Sequence, residues 1–264
     1  MATIGVIFCA YQTEDLLDRS LAPWLDAAAT HLGGHTYLIC GVSVPFLGFP
    51  HDSPLDGTVA ALKRHVAARR LHHLIADTPP VAETESRGAA LRWLVSQGVE
   101  ITIMVDSDEF WTRAQIEAAF SFVGANPWIA WFRICYRQMV FDSHQYLAEP
   151  FTPARIHRVH ISDGYIASGF WDDNNVYYKR PREERTASTQ VFDTQLPSLT
   201  VPQAAVWVEH ETWLSNSRSK SKAAYQRRRW NHCSFKWNET LDRLEWDEAY
   251  FTARGEVPPT VLHD

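Results

Sequence analysis

The chain opens with apolar runs alternating with amphipathic ones. Thr3 to Ala10 (TIGVIFCA) is continuously apolar and reads as a strand buried on both faces. Thr13 then offers an N-cap, with Glu14 and Asp15 in the first turn, where the helix dipole favours negative charge. Leu16, Leu17, Leu21, Trp24 and Leu25 follow at helical spacing, and Pro23 is expected to kink or split that helix. Gly33-Gly34 breaks it. Tyr37 to Val44 reads as a second strand, Pro45 to Gly57 as a loop, Thr58 to Arg70 as a second helix and Leu71 to Ala76 as a third strand. Glu83 to Gln97 is a third helix, with Gly98 where a left-handed cap is favoured. Glu100 to Val105 is the fourth strand. This alternation predicts an α/β fold with a mostly parallel sheet flanked by helices.

The second half changes character. Thr112-x-x-Gln115 is a capping box opening one more helix. Strands are expected over Trp128 to Tyr136 and Met139 to Phe141, and turns around Pro150, Pro153 and Pro181. A last strand, Ala204 to Val208, leads into His210, and Ser215 to Trp230 reads as a helix. There is no internal repeat, low-complexity segment or clean linker. A single domain over residues 1–264 is expected, with halves 1–111 and 112–264.

Composition narrows the class. The chain has 264 residues, 45% of them hydrophobic, enough for one large domain or two small ones. The net charge of -6 gives no global basic field for nucleic acid. The cysteines, Cys9, Cys40, Cys135 and Cys233, form no CxxC pair, so zinc ribbons and redox pairs are not expected. Cys9 and Cys40 lie in apolar runs and read as small buried hydrophobes. The first residues lack a basic n-region and long h-region, so no secretory signal is expected. No apolar stretch reaches the roughly 18 residues of a membrane span. A reduced, cytoplasmic, soluble protein is the expectation. Of the 11 tryptophans, about three in four are expected in the core, the rest being free to stack on sugars or bases.

The candidate chemistry sits where the fourth strand ends, in Asp106-Ser107-Asp108-Glu109. Alone, such a run also reads as a solvated turn or a cap cluster. Its context is an apolar strand before and a capped helix after, and ligands of parallel sheets sit outside the carboxyl ends of the strands. Three carboxylates there repel one another unless a cation or a proton compensates. Carboxylate oxygens suit Mg²⁺ or Mn²⁺, and a metal so held neutralises a departing diphosphate. The first strand points Tyr11-Gln12 to the same rim.

Four elements together resemble glycosyltransferases of the GT-A fold (nucleotide-diphospho-sugar transferase-like), close to glycosyltransferase family 2. They are the opening strand with Tyr11-Gln12 and Ser20-Leu21-x-x-Trp24-Leu25, the helix start Glu85-Ser86-Arg87-Gly88-Ala89-Ala90-Leu91, the DxD-like Asp106-Ser107-Asp108-Glu109, and His210-Glu211-Thr212-Trp213. They span roughly residues 3 to 215. The resemblance implies a metal-dependent, hexosyltransferase-like enzyme using a nucleotide-sugar donor, a UDP-sugar foremost, with inversion at the sugar carbon. Residues 1–111 would bind the donor and 112–264 the acceptor. Asp108 would bind Mn²⁺ or Mg²⁺ directly, Asp106 would bind the metal or the donor ribose, and His210 would complete the metal site. Tyr11, Gln12, Arg87 and Ser107 would contact the donor. The chain departs from the family after the second strand, where Gly41-Val42-Ser43-Val44-Pro45 replaces an acidic pair; Asp77 is the alternative acid for the nucleobase, and a plain loop Asp the bland reading.

Inversion needs a general base near the acceptor hydroxyl, whereas a retaining reaction, the open alternative, requires none. Asp172 or Asp173, in Gly169-Phe170-Trp171-Asp172-Asp173-Asn174-Asn175, lies where the family places one; an Asx-rich turn is the competing reading, and Glu109 is a rival base. His72-His73 reads as structural, since consecutive strand residues face opposite sides. The segment Arg218 to Arg229 holds six basic residues and no acid, with Tyr225, Trp230, Phe235 and Trp237 in or after it. It reads as a solvated helix face, as a cover for the donor diphosphate, or as a contact for a polyanion. The resemblance implies a saccharide acceptor, and the basic segment adds a hydroxymethylated DNA base as the other expectation. The alternatives are a nucleotidyltransferase, disfavoured because Ala10 to Glu14 holds no Gly-rich phosphate loop, and a non-catalytic carbohydrate- or nucleic-acid-binding protein.

Overall fold

A computed structural model describes residues 1–45, 56–76, 79–172, 174–180, 190–214, 217–230 and 233–263. In chain order the elements are β1 (Thr3–Cys9), α1 (Glu14–Thr30), β2 (Thr36–Val42), α2 (Thr58–Ala67), β3 (His73–Ile75), α3 (Glu83–Ser96), β4 (Ile101–Asp106), β5 (Glu109–Phe110), α4 (Arg113–Ala125), β6 (Trp131–Arg133), β7 (Cys135–Phe141), β8 (Gln145–Leu147) and β9 (Ala154–Arg158). Then follow β10 (Ile166–Phe170), β11 (Val176–Lys179), β12 (Gln190–Phe192), β13 (Ser198–Thr200), β14 (Trp207–Leu214), α5 (Ser217–Trp230), β15 (Phe235–Asn238), β16 (Arg243–Trp246), α6 (Glu248–Arg254) and β17 (Val261–His263).

The chain groups into two compact units. The first comprises Met1–Phe46, Asp56–Cys135 and Thr152–Val208, and the second Tyr136–Phe151 and Glu209–Asp264. The first is built on a seven-stranded sheet in the order β13-β6-β9-β4-β1-β2-β3. Its pairs β13–β6, β4–β1, β1–β2 and β2–β3 are parallel, and β9 runs antiparallel to both neighbours. The expected mostly parallel α/β sheet flanked by helices is what forms. β1, β2 and β4 read as unbroken apolar runs because helices cover the sheet: α1 packs with α4 and β2, and α3 against β1, β2 and β10. Ile7, Cys40, Leu91, Leu94 and Met104 meet in one core cluster with Phe170 and Tyr178 of the small β10-β11-β12 sheet.

Several local expectations change. α1 runs through Pro23 without a break; in a helix packed on a sheet, tertiary burial outweighs one missing hydrogen bond. Thr13 precedes α1 but makes no side-chain cap; the Glu14 amide donates to Asp56 instead, at 2.9 Å. His31 (φ 49°) ends the helix in the left-handed region ahead of Gly33 and Gly34. The box at Thr112 forms as expected, with Gln115 N donating to Thr112 Oγ1 and Thr112 N to Gln115 Oε1. His72 and His73 are structural: Nδ1 of His72 accepts from the Ile39 amide, and His73 stacks on Trp93 at 4.7 Å. The run Trp128 to Tyr136 is broken into β6 and the start of β7. The stretch after Pro153, expected to be turns, is β9, inserted between β6 and β4. The strand expected over Ala204 to Val208 begins at Trp207 and carries His210 within it. Pro181 lies outside the described residues.

The second unit is a small aromatic-rich body. Phe235 stacks on Trp213 at 4.4 Å and on Trp246 at 4.5 Å, with Val140, Ala223 and Leu244 around them. Phe235 is therefore core, not a platform for bases. Three cations of the basic segment are engaged inside this unit. Lys220 pairs with Glu239 (2.7 Å), Arg227 with Asp247 (2.8 Å), and Lys222 sits over the Trp213 ring. No helix among the described residues is long and apolar enough to cross a membrane.

Candidate active site at the carboxyl ends of the parallel strands

β1 and β4 are parallel neighbours in a register that sets Cys9 beside Asp106, so both strands end on one rim. The join continues past the strands. Ser107 N donates to Cys9 O at 2.8 Å and Ser107 Oγ to Thr13 Oγ1 at 2.8 Å, while Thr13 N donates to Thr58 Oγ1 at 2.9 Å. Ser107 is thereby buried in the frame of the rim. Between these anchors Gln12 adopts φ 53°, an uncommon conformation for a residue with a Cβ. Its side-chain Nε2 is buried with no hydrogen-bond partner among the described residues. Tyr11 is partly exposed, and burial followed by the Asp56 carboxylate raises its phenol pKa.

Asp106 is clamped from two sides. Arg87 Nη2 donates to its Oδ1 at 2.8 Å and Arg155 Nη2 to its Oδ2 at 3.0 Å. Arg87 comes from the first turns of α3, where it also pairs with Glu83 one turn back at 2.5 Å. Arg155 comes from β9: antiparallel pairing with β4 brings the start of β9 beside the end of β4. It also donates to Glu109 Oε1 at 2.6 Å and, through Nη1, to Asn174 Oδ1 at 2.5 Å. Both guanidinium groups are buried, and buried charge persists only when paired. Burial works against the Arg87 charge, but Glu83 and Asp106 outweigh it and hold its pKa above the ordinary value. Burial pushes the neighbouring Cys9 thiol up to about 12, so it stays protonated and is no nucleophile.

Asp108, two residues on, is partly exposed in the same turn. Glu109 is 0% exposed, paired with Arg155, and its carbonyl accepts from Ser20 Oγ of α1 at 2.9 Å. An enclosed carboxylate that holds an arginine is a buttress, not a base within reach of an acceptor hydroxyl. Among the described residues no group of three or more His, Cys, Asp or Glu side chains is arranged to hold a metal ion. His210 belongs to the second unit, where its ring is buried, stacked on Phe151 (6.2 Å, 17°) and tilted against Tyr136 (5.6 Å).

The turn after β10 is an Asx turn. Asp172 Oδ1 accepts from the amides of Asn174 and Asn175, each at 2.8 Å, and Oδ2 from Asn175 Nδ2 at 2.6 Å. A carboxylate offers about four acceptor positions, so these three bonds orient it and leave room for one more donor. Arg155 ties this turn to the acidic one: its two terminal nitrogens reach Asn174 and Asp106. Asp173 and Asp77 lie outside the described residues. Arg155, Glu83 and Asn174 escaped the sequence reading. For Arg155 the only signal is the segment Ala154-Arg155-Ile156-His157-Arg158, whose charges hide a central strand, while Glu83 and Asn174 showed only as parts of a helix start and an Asx-rich run.

No protein-family model matches the chain, and no curated protein matches it. Solved structures similar to it include TarS of S. aureus, with 14% identity over 85% of this chain and 38% of that one, at a TM-score of 0.48. Residues 1–349 of TarS in complex with UDP-GlcNAc are similar at 16% identity over 59% of this chain and 45% of that one, with a TM-score of 0.40. CMP:2-keto-3-deoxy-manno-octonic acid synthetase complexed with CTP is similar at 9% identity over 60% of this chain and 74% of that one, with a TM-score of 0.36. The chain spans 38% of the length of TarS.

Proposed function

We propose that this chain transfers a sugar from a nucleoside-diphosphate sugar, a UDP-sugar foremost, to an acceptor hydroxyl. The observation that carries the reading is the acidic turn at the end of β4, fixed by two buried arginines beside the end of β1. Such a rim is where parallel sheets take ligands, and preorganised charge is what a diphosphate leaving group needs. Tyr11, Gln12 and the Asp106-Ser107 backbone would seat the nucleoside, with Asp106 held in place by Arg87 and Arg155. Asp77 remains the proposed acid for the nucleobase.

The residues present fit a divalent cation that arrives with phosphate oxygens, as Mg²⁺ does, since Asp106 and Asp108 are both partly exposed in this turn and Asp106 is held in place by arginines. Mn²⁺ or Mg²⁺ so held by Asp108 would supply Lewis-acid neutralisation of the diphosphate. Asp172 is the proposed base, with Asp173 its neighbour in sequence. As the acceptor oxygen bonds to the sugar carbon, the carbon–phosphate-oxygen bond breaks, its electron pair leaves on the diphosphate, and the hydroxyl proton passes to the carboxylate. This gives inversion.

The test is nucleoside-diphosphate release from UDP-, GDP- and TDP-sugars with Mn²⁺, on the native chain and on Asp108→Asn and Asp172→Asn. Release by the native chain from at least one donor, abolished in Asp108→Asn, supports the proposal. Failure of calorimetry to detect any nucleotide-sugar or its diphosphate sinks it.

A further inference from the structure

Among the described residues, Trp171 at the Asx turn is a tryptophan that stays open to solvent while being rigidly fixed. It is 43% exposed, yet its indole Nε1 donates to Asp193 Oδ1 at 3.2 Å, and its ring meets Phe192 edge-on at 5.6 Å. Its amide donates to Asn175 O at 3.0 Å, closing the Asx turn that holds Asp172. Asp193 is fully buried, and burial raises its pKa against the hydrogen bonds from Val176 N, the Trp171 indole and Thr194 N. A buried carboxylate is a costly anchor. An exposed aromatic ring so anchored is preorganised, because its rotamer is chosen before any ligand arrives.

From this geometry we infer that Trp171 is the stacking platform for a neutral sugar ring of the acceptor, with Asp172 and the adjacent Asn side chains taking its hydroxyls. The inference rests on the transfer reading above and names its acceptor class. An indole face matches the apolar C–H face of a pyranose, and the remaining acceptor position on Asp172 matches a hydroxyl donor. A phosphate backbone offers acceptors only and would meet the Asp172 carboxylate. The turn is tied through Asn174 and Arg155 to Asp106, so a ring stacked on Trp171 lies along the same hydrogen-bonded frame as the acidic turn.

The experiment uses the full chain, a printed array of neutral oligosaccharides, and a 20-base-pair duplex containing 5-hydroxymethylcytosine, with native protein, Trp171→Ala and Trp171→Phe. The native chain is expected to bind at least one oligosaccharide. Trp171→Ala should weaken that binding about tenfold or more, and Trp171→Phe, which keeps a ring face but loses the anchoring N–H, should fall between the two. UDP affinity should be unchanged in Trp171→Phe, which keeps an aromatic ring if the alanine variant folds poorly, while its melting temperature should fall because the indole bond to the buried Asp193 is lost. Binding to no oligosaccharide, equal binding by Trp171→Ala when it melts like the native chain, undiminished binding on both substitutions, or Trp171-dependent binding of the duplex in place of sugars overturns the inference. Sugar binding that depends on Trp171 in a chain that releases no nucleotide would leave the platform standing and remove the transfer reading. Donor turnover with sugar binding indifferent to Trp171 would do the reverse.

Discussion

Asp106 and Asp108 sit two residues apart and are given different tasks. Asp106 has both oxygens on arginines, while Asp108 is partly exposed. Asp108→Asn, a near-isosteric change at a partly exposed carboxylate, should cost less in urea unfolding than loss of a buried charge pair while abolishing turnover. Arg155→Met should behave oppositely. It leaves Glu109 enclosed and without this partner, and breaking such a pair costs about 3–5 kcal/mol; adding Glu109→Gln should recover part of the loss. A third residue sets an acid limit. His157 is buried between Trp131 and Phe170, and burial lowers its pKa to about 3. It is neutral when folded but takes a proton when unfolded, so it withdraws stability as pH falls below about 6.5. The loss continues down to its folded pKa of about 3, while Asp193, 3.8 Å away and raised by burial, acts in the opposite sense because it binds its proton more readily when folded. His35, His65 and His72 are lowered in the same sense, so the difference between native protein and His157→Gln isolates the effect. The urea midpoint of the variant should fall less steeply between pH 6.5 and 5. The acids of the turn were legible because they follow an apolar run. Arg155 was not, because a buried arginine looks like a surface one until its partners are seen.

At the level of elements, legibility followed length and coverage. β1, β2, β4 and α1 to α4 carry enough residues for their period to show, and their ends fall within a few positions of the sequence reading. β6, β8 and β10 to β13 hold three to five residues each, too few for a period-two pattern. β9 has five residues, yet its Arg155 and His157 are buried polar groups that erase the apolar signal. The Asp172 turn was visible as an Asx-rich stretch, and the structure places a real Asx turn there. Its approach depends on one small residue. A Cβ on Gly169 would lie 2.6 Å from the Tyr177 hydroxyl and 2.8 Å from its ring. Gly169→Ala should cost about 1–3 kcal/mol through overpacking, and the double variant with Tyr177→Ala should recover most of it in a double-mutant cycle.

For the whole molecule, charge and aromatic content set the terms of ligand binding. The net charge of -6 and the internal pairing of Lys220 and Arg227 argue for short-range recognition over a long-range basic field. A cation that needs phosphate oxygens should bind in order. Mn²⁺ alone should leave the melting temperature unchanged, and Mn²⁺ with UDP should raise it beyond UDP alone. At a hundredfold excess over Kd the gain is about 2.7 kcal/mol. Equal stabilisation by Mn²⁺ without nucleotide would show a site complete in protein ligands. The clamp on Asp106 has one more consequence. Its two arginines lie 19 and 49 positions away along the chain, and the farther one arrives only when β9 slots in between β6 and β4. A nascent chain that has made only β1 to β4 holds the parallel ladder and the Arg87 half of the clamp but lacks the Arg155 half. Synthesis must pass residue 155 before the rim can set, so assembly of the chemical centre reports that β9 has joined the sheet.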